Sequence, residues 1–272
     1  MLPIRYAPIT IELELVDNVF DPIIDPTASP AIGGVPFTPT NTSLNWSITN
    51  VQVKVDVCTL DNALDNSYAQ HLLHGKSLPI SYNTFVSQLQ TITGQDAPLI
   101  NVSRALTRLK SVFVTLHKDT GVVWGCNRKF WNTFFSPMHP DNGITLLHNS
   151  DGELEYQLQI GSKLFPEYPI RSHNEGYYQL CKTLGVQASA VHNFDISARE
   201  YRFAKFMLGT DCEKVLDAGF TGINTRAGDL MSVKLKYASK GTGDNRLADR
   251  LHIVLHSDQI LEIRDSGCQV FD

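Results

Sequence analysis

Two pairs of histidines have the spacing that most readily suggests chemistry. His71 and His74 stand three apart in a helical pattern, with Asp65 as the nearest further donor, and His252 and His256 stand four apart in an alternating stretch. Imidazole pairs of this kind can begin a zinc site, and on a β scaffold His252 and His256 would serve a metal-dependent barrel enzyme. Strand geometry argues against that use. Strand residues four apart are separated by roughly 13 Å along the axis, too far to share one ion without a bulge. Gly75-Lys76-Ser77 ends like a phosphate-binding loop, but the earlier glycine of that pattern falls on Gln70, and the motif follows a helix rather than a strand. Asp258, Glu262 and Asp265 gather carboxylates near the end of the sequence. Glu262 and Arg264, two apart on one strand face, are expected to form a solvated charge pair. Trp46, Trp124 and Trp131 offer platforms for a sugar, which makes a carbohydrate-binding jelly-roll module the second reading, although indoles more often anchor cores and loops. No G-x-S-x-G, H-E-x-x-H or C-x-x-C pattern occurs. No catalytic, cofactor-binding or metal-ligating residue is therefore assigned, no cofactor is expected, and a non-enzymatic role is expected.

Charge and composition narrow the classes further. The 272 residues are 42% hydrophobic and 19% charged with a net charge of -5, an ordinary globular balance that supports a real core. A coat that neutralises nucleic-acid phosphate carries a basic arm or stripe. Here the basic clusters Arg104/Arg108/Lys110 and Arg128/Lys129 are short, so direct nucleic-acid binding is not expected. The five cysteines, Cys58, Cys126, Cys181, Cys212 and Cys268, are odd in number and never at metal-ligand spacing, which reads as reduced, buried thiols. The opening MLPIRYAPIT has no signal-like apolar region, and no apolar run reaches membrane-spanning length, so the sequons at Asn41 and Asn45 carry little meaning.

The elements that must carry these residues are mostly strands. Ile9, Ile11, Leu13 and Leu15 alternate with Thr10, Glu12 and Glu14, a strand pattern that begins almost at once. Residues 17–42 hold Pro22, Pro26, Pro30, Gly33, Gly34, Pro36 and Pro39 and read as a long surface loop. Val51, Val53, Val55 and Val57 alternate with Gln52, Lys54 and Asp56, which predicts the clearest strand of the chain. A helix follows from an Asp61 N-cap to a Gly75 stop, with Leu64, Tyr68 and Leu72 on one stripe. Residues 78–92 return to extended chain, and residues 111–116 (SVFVTL) read as a strand buried on both faces. Residues 124–148 read as a long connection that buries Trp131, Phe134 and Phe135. Residues 154–160 form a half-buried strand. Ser172 and Glu175 have capping-box spacing before a short helix that Gly185 ends. Residues 197–200 read as a turn followed by a strand over 203–208, residues 231–237 and 251–255 as strands, and Ser266-Gly267 as a turn into a last strand ending at Phe271. Many strands, long loops and few short helices predict an all-β fold, a jelly-roll sandwich of two antiparallel sheets with a few short inserted helices.

Four segments add a resemblance: DNALDNSYAQHLLHGKSLPISYNTF from Asp61, INVSRALTRLKSVFVTL from Ile100, LQIGSKLFPEYPIRSHNEGYYQL from Leu158, and FTGINTRAGDL from Phe220 with ADRLHIVLHSDQILEIRDSG from Ala248. In this order they resemble the C-terminal half of double jelly-roll major capsid proteins of eukaryotic DNA viruses and Polinton-type virus-like elements. The resemblance implies a structural subunit of an icosahedral capsid without cofactor or catalytic residue. It implies copies of itself, as a trimer, and other capsid proteins as partners, with an internal membrane beneath the shell in many members. It also implies a virion location after synthesis in the host cytoplasm or nucleus. The chain is short for two complete jelly rolls. Residues 1–44 are then a strand and Pro/Gly-rich loop ending a truncated first jelly roll, and residues 45–272 are the jelly-roll capsid-type domain.

Overall fold

The computed structural model describes residues 2–15, 47–92, 97–123, 126–130, 154–185, 196–197, 201, 205–213, 222–226, 230–236, 248 and 250–272. In chain order the elements are α1 (Asn62–Leu73), β1 (Leu78–Thr91), β2 (Leu99–Val102), β3 (Leu109–Val123), β4 (Cys126–Phe130), β5 (Glu155–Ile160), β6 (Lys163–Ile170), α2 (His173–Thr183), β7 (Leu208–Asp211), β8 (Met231–Lys236), β9 (Arg250–Arg264) and β10 (Gly267–Phe271). They form two compact units. The larger holds residues 26–40 and 84–258, and the smaller holds residues 1–25, 41–83 and 259–272. The first residues of β1 and the last of β9 belong to the smaller unit, and the remainder of both strands to the larger.

The strands make a six-stranded and a four-stranded sheet. In the first, β1, β9 and β3 are successive neighbours, β7 and β4 both pair with β3, and β10 pairs with β9; the second has the order β2-β8-β5-β6. Leaving aside β4 and β10, the first strand of the winding pairs with the last (β1 with β9), the second with the next to last (β2 with β8), β3 with β7, and β5 with β6. Such nested pairing is what results when one long antiparallel ribbon is wrapped over itself into two sheets. The fold is an all-β jelly-roll sandwich, as the sequence pattern predicts.

Within the larger unit the alternation does what the pleat requires, because successive side chains point to opposite faces. Val112, Val114 and Leu116 of β3 lie opposite Leu255, Ile253 and Leu251 of β9, and all six are buried. Tyr156, Leu158 and Ile160 of β5 lie opposite Leu235, Val233 and Met231 of β8, again all buried. The two sets join in one core, where the Tyr156 hydroxyl and Thr210 Oγ1 of β7 make a 2.7 Å hydrogen bond from sheet to sheet. Burial pushes the Tyr156 phenol far above its ordinary pKa, so it remains a neutral hydroxyl in that bond. The other face of β3 is buried as well at Ser111, Thr115 and His117, so SVFVTL is covered on both sides.

Helix α2 follows its capping signal. Ser172 Oγ accepts from the Glu175 amide at 3.2 Å, and Glu175 Oε2 accepts from the Arg171 amide at 2.8 Å, one residue outside the usual reciprocal box. Leu180 is buried where α2 packs close to β7. A Cβ on Gly209 would stand 2.9 Å from Thr183 Oγ1 and 3.2 Å from the Leu180 Cα, so only glycine allows this approach. In the smaller unit, α1 ends at Gly75, whose φ of 72° is the left-handed stop expected of a C′ residue. Asp61 occupies the N-cap without a side-chain cap bond, Leu72 is buried, and Leu64 stays exposed rather than joining a buried stripe. β10 turns back on β9 in register from Gly267 opposite Arg264 to Phe271 opposite Ile260.

The structure corrects four expectations. Residues 9–15 and 51–57, both expected as strands, pair with no strand among the described residues. Of the strand expected over 203–208, Phe206 and Met207 belong to no ladder and β7 begins only at Leu208, while residues 203 and 204 lie outside the described residues. The strands β2, β4 and β6 occur where none was assigned. The cysteines are not uniformly buried, since Cys181 and Cys212 are buried but Cys58 and Cys268 are exposed. The expected loop over residues 17–42 and the aromatic residues 131–135 lie outside the described residues.

Candidate assembly surface

In the smaller unit, alternating segments leave their apolar side chains in solvent. Ile9, Ile11, Leu13, Leu15, Val51, Val53, Val55 and Val57 are each between 54% and 71% exposed. A sequence that alternates apolar and polar residues stabilises a strand only when a sheet supplies both backbone partners and an apolar layer. Here the pattern is present and no described strand supplies them, which makes these segments candidate contact elements. Nearby in the same unit, Arg5 pairs with Asp65 at 2.8 Å, and Cys268 Sγ donates to the Tyr6 carbonyl at 3.3 Å.

In the larger unit the candidate surface is the outer face of the sheet along its edge strand β1. The Phe85 ring is 62% exposed and stacks on His256 with centroids 4.7 Å apart and planes 12° from parallel. His256 Nδ1 lies 3.1 Å from Ser111 Oγ on β3, and its Nε2 is enclosed without a hydrogen-bond partner among the described residues. Burial, then the Lys110 ammonium, hold the His256 ring below the ordinary histidine pKa against the pull of Asp258; burial alone does so at His252. His252 lies beside His117, ring centroids 6.3 Å apart, and His117 Nε2 bonds Thr115 Oγ1 at 2.9 Å.

A β-bulge places a charge cluster at one end of this face. The register between β3 and β9 shifts between Leu109 and Ser111, so Lys110 is the extra residue. Its ammonium lies 2.9 Å from Glu213 Oε1 and 3.5 Å from Asp258 Oδ1, all three largely buried. Burial alone would lower the Lys110 pKa. The hydrogen bond to Glu213 and the two carboxylate charges outweigh it and hold the amine above its ordinary value.

The residues weighed for chemistry are scattered by the fold. His71 Nε2 faces the Ser77 carbonyl at 3.3 Å and His74 Nδ1 the Gln70 carbonyl at 2.5 Å, so both rings serve the end of α1. No group of three or more His, Cys, Asp or Glu side chains is arranged to hold a metal among the described residues. Ser77 donates to Glu262 Oε1 at 2.7 Å, and a carboxylate in that position is the opposite of a phosphate cradle. Asp258, Glu262 and Asp265 do not converge. Asp258 goes to Lys110, and Glu262 takes Ser77 and, at 3.0 Å, Arg264 Nε, the charge pair that its spacing predicts. Those hydrogen bonds hold the Glu262 carboxyl below its ordinary pKa. Arg104/Arg108/Lys110 is no basic patch: Lys110 is turned to carboxylates, and Arg108 donates to the Asp258 carbonyl at 3.3 Å. Trp46, Trp124 and Trp131 lie outside the described residues. The Phe85–His256–Ser111 contact escaped the sequence reading, because its three residues are distant in sequence and only strand register brings them together.

The architecture defines a jelly-roll protein. No protein-family model matches the chain. No curated protein matches it. Among solved structures, a crystal structure of PBCV-1 VP54 fitted into a cryo-EM reconstruction of the virophage Sputnik is 11% identical with a TM-score of 0.47, covering 78% of this chain and 55% of that one. A quasi-atomic model of the PBCV-1 virus capsid is 11% identical with a TM-score of 0.38, covering 75% of this chain and 54% of that one. The chain thus spans 55% and 54% of the lengths of these two proteins.

Proposed function

We propose that this chain is a structural subunit of an icosahedral viral or virus-like capsid, without enzymatic activity, that assembles through loop and edge contacts. One observation carries the reading: the complete eight-strand jelly-roll winding occupies the stretch that bears the capsid-like phrases, from SLPISYNTF through LHIVLHSDQILEIRDSG. The exposed alternating segments support it, because a subunit built to be covered by neighbours presents apolar surface that a solitary domain would bury. Residues 1–44 belong in this reading to the end of a first jelly roll, and residues 45–272 to the jelly-roll capsid-type domain. The winding proper starts at Leu78.

The partners are copies of the same chain, as a trimer, and other capsid proteins, with the shell lying over a membrane and genome contact left to other components. The location is the virion, after synthesis in the host cytoplasm or nucleus. Size-exclusion chromatography with light scattering on the expressed chain tests the assembly. Mass should rise with concentration through a trimer, and a monomer that persists at high concentration would refute it. Antibodies against the chain should label the surface of purified particles.

A further inference from the structure

We propose that His256 is an acid-sensitive latch on the edge of the sandwich: when its ring takes up a second proton, the residue 84–91 half of β1 is released from β9. This goes beyond the shell role and does not depend on it. In the neutral ring, Nδ1 shares a hydrogen bond with Ser111 Oγ at 3.1 Å, while Nε2 is shut from solvent with no hydrogen-bond partner among the described residues, and the ring face stacks on Phe85. An imidazolium is a donor at both nitrogens. Ser111 satisfies one, and no group among the described residues satisfies the other. A charged donor held away from water without an acceptor costs far more than a neutral one.

The surrounding groups do not remove that cost. From β3, Lys110 repels a cation at His256. From β9, Asp258 attracts one, but its carboxylate is already engaged by Lys110 at 3.5 Å, and Glu213 after β7 is held by the same ammonium at 2.9 Å. On the same face of β9, His252 is a further group that gains positive charge in acid. β1 brings no charged residue anywhere from Leu78 to Thr91. The stack on Phe85 offers a cation some attraction through the ring face, yet supplies no acceptor to Nε2. Among the described contacts of the ring, Phe85 is the side chain expected to move aside and admit water to Nε2. That ring is already 62% exposed and sits on a strand that ends the sheet order, with β9 as its neighbour.

Hydrogen exchange read by mass spectrometry on the full chain between pH 7.5 and pH 5 tests this. After correction for the intrinsic exchange rate, protection of residues 84–91 should fall by up to about tenfold per pH unit below the ordinary histidine range, the slope of one linked proton. Protection of β5 and β8 should hold. In His256→Gln and in His256→Phe the β1 response should vanish, while His252→Gln should retain it. Phe85→Ala, which opens Nε2 to water, should lower β1 protection at all pH values and flatten its pH dependence. The latch is overturned if wild-type β1 protection does not change with acid, if both His256 variants respond as the wild type does, or if all strands lose protection together.

Discussion

Changing Tyr156 to Phe removes one hydroxyl from the middle of the molecule and leaves the ring in place. Its partner, Thr210 Oγ1 at 2.7 Å, is buried on the opposite sheet and has no water to turn to. A buried hydroxyl stranded in this way costs about 1–3 kcal/mol. Thr210→Val strands the phenol instead and should cost a similar amount, since valine nearly matches threonine in shape. The double variant leaves two apolar groups in contact and should recover most of the loss, giving a coupling of about 1 kcal/mol or more. For a domain of this size each kcal/mol corresponds to about 2–4 °C in Tm. Urea unfolding followed by circular dichroism reads the cycle directly, with the midpoint moving and the slope unchanged. If the single substitutions leave the midpoint where it was, or if the double variant loses the sum of the two, the hydroxyls do not meet and the two sheets do not share this core.

Three further outcomes are expected. Gly222→Ala places a Cβ 2.5 Å from the Arg108 carbonyl carbon and 2.8 Å from the Leu109 nitrogen, backbone atoms beside the Leu109–Ile223 bridge that cannot step aside; it should destabilise by about 1–3 kcal/mol or leave the chain insoluble, read by thermal melting. Ser172→Ala removes the cap on the Glu175 amide and should cost about 1 kcal/mol, whereas Ser172→Asp should restore it. The Lys110 amine is held above its ordinary value in the folded chain, so its contribution is full below the unfolded lysine pKa and is lost as pH rises through the folded one; wild-type Tm should fall more steeply with alkali than that of Lys110→Met, and parallel curves would show that the cluster contributes nothing.

How much of this was legible in the sequence depends on where each residue finds its partner. Leu154 to Ile160 and Met231 to Lys236 were legible because each strand has one buried face, and a period of two reports that directly. SVFVTL was legible as a short β-branched and aromatic run, with Val112, Val114 and Leu116 on the core face and Phe113 between Ser111 and Thr115 on the other. β6 was hidden by Pro166 and Pro169, which argue against a strand, yet it ends its sheet order, where missing amide donors cost least. β7 was hidden by Gly209, present for the close approach of α2 rather than for strand propensity. The valines at 51–57 misled in a more instructive way. Alternation records which face a segment would bury, not whether the described strands include one to bury it against. At the candidate surface, the Glu262–Arg264 pair followed from spacing alone. The packing of His256 between Phe85 and Ser111 needed the register of three strands, which no local pattern encodes.

The neighbours of β9 set the order of events during synthesis. Its place between β1 and β3 is filled by residues 250–264, near the end of the sequence, while β1 begins at Leu78. A nascent chain therefore carries β1 through residues 92–249 before its partner exists, and the entropy of closing that loop is met only when β9 arrives. Before β9 is made, the pairs open to the larger unit include the β3–β4 and β5–β6 hairpins and the β3–β7 ladder, whereas the place of β1 in the six-stranded sheet waits for β9. A ribosome stalled within β9 would hold a chain whose edge strand waits open to any other strand in reach.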